Sequence, residues 1–450
     1  MKRFKFIPIF TVFCLLFFSI AGCTNGSSPN SGDVSVEESG GYAPAPYSES
    51  KTGEMGYMDA PEGMRAELNK TDTASDISDG EKDGETVTDT ENQAGLITAS
   101  AWNDNQYYSA WKDLFSQGQT EEENGKFSSY YESNRWGFDT LNRVVVTVKN
   151  GESVIAGATV SYFDENQKEY AAVTNAQGKA YLFPPVEEGS IKVTVGTTEK
   201  TAAFSKDERD LAVDIGTEYA KASIIKLMLV VDVTGSMGDE LNYLKTELAD
   251  VINRVATENQ GVRIDLAMLF YRDDEDEEKF SYADFVNVTD ANGLQLQQAK
   301  LKEQSASGGG DIPEAVDEAL ELAIGKDWGE ENSTKIIFHV LDAPPHSGSV
   351  YQTRFTQAVE NASKKGIRLC PVLCSGANEL CEYLVRNEAV YTGGTFIFVT
   401  DHSGIGNPHY DPDLPNAVVE KLNDLMVRLI NGYYTGTFAD PVPWNAKAKE

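Results

Sequence analysis

The sequence predicts a multidomain chain in which a doubly wound α/β domain follows an antiparallel β-sandwich and a disordered acidic tether. Three observations carry that prediction. From Ile224 onward, continuous apolar runs alternate with stretches whose apolar residues recur at helical spacing. Between Leu141 and Gly216 the pattern drops to period two, in short β-branched and aromatic runs separated by turn residues. From Thr24 to about Gln93 there is no apolar period, only Ser, Gly, Pro, Asp and Glu with scattered aromatics.

The 450 residues exceed one ordinary core, and 40% hydrophobic content suffices to build more than one. Lys and Arg total 38 against 71 Asp and Glu, a formal charge of −33. So acidic a surface repels nucleic acid phosphates and anionic headgroups, which excludes nucleic acid as a partner, and it attracts divalent cations. Five cysteines make no disulfide scaffold.

Residues 1–22 read as an address. Lys2, Arg3 and Lys5 precede an apolar run of about 17 residues that ends in Ile20-Ala21-Gly22-Cys23. The run is short and abruptly ended for a membrane span. Its end resembles the bacterial lipobox. The resemblance implies cleavage before Cys23, acyl chains on that cysteine and an extracytoplasmic, membrane-anchored lipoprotein. An ordinary cleaved signal or an uncleaved anchor helix are the plainer readings. Residues 23–93 carry about a third of the net negative charge and cannot bury enough surface to offset chain entropy, so they read as a plain tether. Of the remaining cysteines, Cys370, Cys374 and Cys381, two lie in an apolar strand. Buried small hydrophobes fit them better than a Cys374–Cys381 bond.

Residues 94–140 are rich in Trp, Tyr and Phe and read as a segment docked on a neighbouring domain, with a glycan platform as the alternative. A helix-like piece from Ser100 to Phe115 would dock its Trp102, Tyr107 and Trp111 side. Residues 141–216 hold six or seven strand candidates. The stretch around the Thr174-Asn175-Ala176-Gln177-Gly178 turn resembles prealbumin-like sandwiches of carboxypeptidase regulatory and bacterial surface modules. That resemblance implies a spacer or docking module.

In residues 222–435, LMLVVDV, RIDLAMLFY, KIIFHVLD, GIRLCPVLC and GTFIFVTD are strand candidates. GDELNYLKTELADVINRVA, IPEAVDEALELAI, YQTRFTQAVENASKK, NELCEYLVRN and LPNAVVEKLNDLMVRLI are the helices between and after them, and 436–450 is a tail. In such open sheets ligands bind at the carboxyl ends of the strands. The first strand ends in Asp232-Val233-Thr234-Gly235-Ser236, an acid and two hydroxyls on alternate residues, a set suited to a hard divalent cation.

This loop resembles the Asp-x-Ser-x-Ser loop of von Willebrand factor type A domains, whose fold is Rossmann-like, with Thr234 in place of the first serine. The resemblance implies a metal-ion-dependent adhesion site held by Asp232, Thr234 and Ser236. Asp342, at the end of KIIFHVLD, and Asp311, in SASGGGDIPEAV, would complete it directly or through water. Asp311 stands where the family usually has Thr, a departure that leaves the site net negative. The ion would be magnesium, with calcium or manganese as alternatives. The partner would be a protein or other surface macromolecule offering an acidic group to the metal. In relatives the terminal helix moves with ligand occupancy, and LPNAVVEKLNDLMVRLI would be its counterpart.

The chain therefore reads as a binding protein and not an enzyme. The competing readings are a metal-dependent hydrolase using Asp232, Asp311 and Asp342, and a structural envelope tether with a non-functional metal site. His339, His346, His402 and His409 lack zinc-pair spacing. The run Asp273–Glu278 reads as a solvated acidic loop, a second calcium site being the alternative.

Overall fold

Nine residues of β10 (Ile224–Asp232) show why the α/β part folds as it does. Every residue from Ile225 to Asp232 is buried, because both faces of the strand are covered. Leu227, Leu229 and Val231 join one core, and Met228 and Val230 join the other. Alternation of side chains along a strand produces that division. The computed structural model describes residues 97–446, apart from 134–135, 311, 330, 404–408, 413 and 415–416. The signal segment, Cys23, the acidic tether and Asp311 lie outside the described residues.

The chain order is β1 (Thr98–Trp102), α1 (Tyr108–Asp113), α2 (Ser128–Glu132), β2 (Val144–Asn150), β3 (Ser153–Val154), β4 (Thr159–Phe163), β5 (Glu169–Val173) and β6 (Lys179–Leu182). Next come β7 (Gly189–Val195), β8 (Thr198–Phe204), β9 (Asp210–Asp214), β10, α3 (Gly238–Glu258), β11 (Arg263–Tyr271), β12 (Phe280–Asn287) and α4 (Ala291–Lys302). The last elements are α5 (Val316–Gly325), β13 (Thr334–Leu341), α6 (Ser349–Lys365), β14 (Ile367–Leu373), α7 (Glu379–Thr392), β15 (Phe396–Thr400), β16 (Val419–Lys421) and α8 (Leu422–Thr435).

Eight strands form the large sheet, in the order β12-β11-β10-β13-β14-β15-β1-β16. β11, β10, β13, β14 and β15 run parallel. β12 is an antiparallel edge. Helices α3, α4 and α8 cover one face, and α5, α6 and α7 the other. The chain leaves β10 toward β11 and later returns to its other side as β13. The carboxyl ends of β10 and β13 therefore flank a topological switch point, where loops diverge and leave a crevice.

Two expectations about the flanks are corrected here. Thr98–Trp102 is a strand and not part of a helix: it inserts between β15 and β16, antiparallel to both. Helix begins only at Tyr108, and of the expected docking side only Trp111 is buried. Alternate side chains of β1 enter the sheet's cores, which outweighs a pattern that also reads as helical. The terminal helix likewise starts at Leu422, not Leu414, because Val419–Lys421 pairs with β1. Phe127, Trp136 and Phe138 do pack on α6 and α7, with Phe127 against Tyr383 and Phe138 against Phe355. Such large apolar side chains contribute about 1.5–3 kcal/mol each when fully buried.

Residues 144–214 form two four-stranded sheets enclosing one core of Val, Ile, Leu, Ala and Phe. One pair departs from the antiparallel expectation, since β2 and β9 run parallel. This part rests on the α/β part through side chain to main chain bonds: Ser363 Oγ donates to Ala171 O at 3.1 Å and Arg368 to Val173 O at 2.6 Å. Cys370, Cys374 and Cys381 are buried and unbridged. No helix among the described residues is long and apolar enough to cross a membrane.

Candidate metal centre

β10 delivers Asp232 to the crevice, and the turn after it brings the hydroxyls back. The backbone N–H and Oγ1 of Thr234 both donate to Asp232 Oδ1, at 2.9 and 2.7 Å. Ser236 Oγ lies 3.5 Å from Thr234 Oγ1, within the turn Gly235–Met237 that opens α3. Asp342, one residue past β13, accepts a hydrogen bond from the Ser236 side chain. Four of the residues expected at the site thus converge: Asp232, Thr234, Ser236 and Asp342.

The glycine-rich loop closes over them. Gly235 N donates to Gly308 O at 3.2 Å, and Ser307 N to Val233 O at 3.0 Å. Gly309 has φ +76, and a Cβ there would stand 2.8 Å from Glu314 Oε1 and 3.1 Å from Thr234 Cβ. Only glycine fits that gap between Thr234 and Glu314. The Asp311 position is not described, but its neighbour Glu314 is 4% exposed and belongs to the cluster.

Sequence reading singled out Asp311 in GGGDIPEAV and passed over Glu314, because spacing alone does not say which acid of a loop turns inward. Glu240 was also missed. It lies in the first turn of α3, is buried, accepts from Ser375 Oγ at 2.8 Å and raises the pKa of Asp342.

The carboxylates of the crevice are crowded and buried, and their pKa values rise accordingly. Burial, then the Asp342 charge, push Asp232 up to about 7. Burial, with Glu240 nearby, raises Asp342 to about 6. Burial and the charges of Asp232, Asp273, Asp342 and Asp276 raise Glu314 to about 9. Among the described residues, Asp232 Oδ2 and Glu314 Oε2 are buried with no hydrogen-bond partner. Leaving such oxygens unpaired costs several times what a made bond contributes. A hard divalent cation with oxygen ligands fits this donor set.

Asp274, Glu275, Glu277 and Glu278 of the acidic run are exposed, as a solvated loop requires, whereas Asp273 and Asp276 turn inward. Asp276 Oδ2 accepts from Gly309 N at 2.9 Å and from Asp273 N at 3.1 Å. Asp273 is buried, with His346 Nε2 2.6 Å from its Oδ1. Arg272 ties the two loops, donating to Ser305 O, Ser307 O and Glu278 O at 2.9–3.0 Å. Asp273, Asp274 and His346 each bring one ligand-type atom within 4.8 Å of the others. Lys279 already holds Asp274, at 2.6 Å.

Residues 226–378 match the family model described as von Willebrand factor A domain, so the chain carries such a domain. Over 205 residues it is 24% identical to the alpha-protein kinase vwkA of Dictyostelium discoideum, covering 42% of this chain and 31% of that protein. Over 183 residues it is 30% identical to the putative ariadne-like RING finger protein R811 of Acanthamoeba polyphaga mimivirus, covering 39% and 17%. The matches thus span less than a third of either relative's length. A solved von Willebrand factor type A structure from Catenulispora acidiphila is similar at 13% identity and a TM-score of 0.31, covering 55% of this chain and 47% of that one.

Proposed function

We propose that the chain is a cell-envelope lipoprotein, anchored through acylated Cys23, that binds another protein through a divalent cation in its von Willebrand factor A domain. The observation that carries the reading is the pair of orphaned oxygens, Asp232 Oδ2 and Glu314 Oε2, buried where the carboxyl ends of β10 and β13 diverge. Asp232, Ser236 and Glu314 would hold the ion directly, with Thr234 and Asp342 directly or through water. Magnesium is the first choice among divalent ions, since two hydroxyls and a few carboxylates leave room for the waters it retains. The cation supplies a positive point to which a partner's acidic side chain can be drawn. The protein's own residues fix that point, and the closure of the Gly308–Gly309 loop on Thr234 holds the ligands in register. The role is one of binding and not catalysis. The two-sheet part would serve as a spacer, and the acidic segment before residue 94 as a tether of roughly 45 Å reach.

Calorimetric titration of magnesium, calcium and manganese into the full chain and into Asp232→Ala tests this. Saturable binding, a raised melting temperature and loss of both in the variant support the reading. Pull-down of an envelope partner that chelator abolishes extends it. Absence of cation binding by the wild-type chain would remove its basis.

A further inference from the structure

A second site lies at the far end of the parallel strands. β13 has 8 residues, so its start is about 25 Å from the metal centre beyond its other end. There a cleft of about 880 Å³ opens between the two-sheet part and the α/β part. Lys221, Lys335, Lys365 and Arg368 line it, against the carboxylates of Glu218 and Glu331. Glu331 is already taken, since Lys226 reaches it at 3.0 Å.

The lining is unusual for this chain. Acids outnumber bases by 71 to 38, so a lysine or arginine finds a carboxylate easily. Among the described residues, none of the four lining cations forms an ion pair. Arg368 is 6% exposed and spends its donors on two carbonyls, Thr392 O at 2.7 Å and Val173 O at 2.6 Å. Lys365 Nζ donates to Ile324 O at 2.6 Å, and Lys335 Nζ to Lys365 O at 3.4 Å. Burial pulls Arg368 below its ordinary value. Burial does the same to Lys335, opposed by the Glu331 carboxylate and reinforced by the neighbouring ammonium groups of Lys226 and Lys365. A guanidinium buried without a counter-charge is expensive to keep and stabilises whatever anion reaches it.

Long-range repulsion does not close the cleft to anions. At physiological salt the screening length is about 8 Å, so carboxylates at the metal-binding end contribute little here. The local surplus of cations decides the potential. A volume of this order also suits a small ligand and not an extended protein surface.

We infer that this cleft is a binding site for a small, multiply charged oxyanion carrying phosphate or carboxylate groups. Lys335 and Lys221 supply ammonium groups to its lining, and Arg368 a buried positive charge. The site does not depend on the metal reading, because no residue is shared between the two.

The test is titration of the full chain, in metal-depleted buffer at matched ionic strength, with sodium triphosphate, trisodium citrate and polyglutamate as separate arms. Saturable binding of triphosphate or citrate with a rise in melting temperature is expected, and the stronger arm identifies the charged group. Lys335→Gln should weaken binding about tenfold, the loss of one charge-assisted contact. Lys221→Gln, on an exposed segment, should weaken it without changing the melting temperature of the free protein, which guards against misfolding as the cause. Asp232→Ala should bind the anion as wild type does. The inference is overturned by binding no greater than that of chloride, by affinities unchanged in both lysine variants, or by binding of polyglutamate alone.

Discussion

Thr234 gives both its backbone N–H and its hydroxyl to a single oxygen of Asp232, Oδ1, and leaves Oδ2 buried without a partner among the described residues. The two bonds orient the carboxylate, and the charges of Asp342 and Glu314 lie close enough to interact with it. A buried carboxylate satisfied only by half is one that a cation would stabilise.

Asp232→Asn therefore separates stability from binding. In metal-free buffer the variant should be more stable than wild type by about 1–3 kcal/mol, since it removes a buried charge without a counter-ion. Saturating magnesium should then raise the wild-type melting temperature and leave the variant's unchanged. Thermal melts with and without metal check both halves, and a metal-free variant less stable than wild type would contradict the account.

Glu314→Gln asks whether the missed acid is a ligand. The substitution keeps the shape of the side chain and removes its charge, so the fold should persist. Cation affinity should fall by at least about tenfold, the low end for losing a group that holds or orients a metal. Calorimetry reads this directly, and an unchanged affinity would assign Glu314 to packing alone.

Gly309→Ala probes the loop that closes the site. Its φ of +76 disfavours alanine, and the new Cβ meets Glu314 Oε1 at 2.8 Å. A stability loss of about 1–3 kcal/mol is expected. It should be accompanied by weaker cation binding, because Glu314 must move away. Gly310→Ala is the control, since a Cβ there meets nothing within 4 Å, although its φ of +156 still favours glycine. Equal loss of affinity in both variants would show that backbone strain, and not displacement of Glu314, is the cause.

The raised carboxyls predict an inverted pH profile for the metal-free protein. Asp342, Asp232 and Glu314 bind protons at about 6, about 7 and about 9 in the folded chain, against about 4 when unfolded. Between those limits the folded state holds more protons than the unfolded one, so stability falls as pH rises. Melting temperature should climb as pH drops from about 9 to about 5. Saturating divalent cation should flatten this trend, since metal and protons compete for the same oxygens. Melts across that range, with and without magnesium, decide it.

How much of this could be read from the sequence depends on how local each signal is. Apolar runs such as Leu227–Val231 and the helical spacing of Leu241, Leu244, Leu248 and Val251 announce the central sheet and α3, because burial on one or two faces leaves a periodic trace. Asp232, Thr234 and Ser236 are close in the chain and were found together for the same reason. β1 was read as helix because five residues of strand have too little sequence to show a period, and their partners in β15 lie about 300 residues away. Glu314 escaped because a loop with three successive glycines at positive φ can turn either acid inward. The ordering of Asp273 and Asp276 depends on His346 and on Gly309, both distant in sequence.

The docking of the aromatic segment yields the last prediction. Arg386 on α7 is 2% exposed and forms two bonds to Asp104, at 2.6 and 3.0 Å, and one to Glu382 at 2.8 Å. Its guanidinium also lies 5.3 Å from the Trp111 ring and 5.5 Å from that of Phe127, so it joins the segment to the α/β part by charge and by ring contact. Lys126 reaches Glu382 at 2.6 Å, whereas among the described residues Asp104 pairs with no cation other than Arg386. Arg386→Met keeps most of the volume and strands the Asp104 carboxylate in the core. Equilibrium unfolding in urea should show a loss of about 3–5 kcal/mol, the usual effect of breaking a buried pair from one side. Adding Asp104→Asn to that variant should recover part of the loss, because the stranded charge is then gone. A single variant that loses less than about 1 kcal/mol would mean that ring packing alone holds the segment in place.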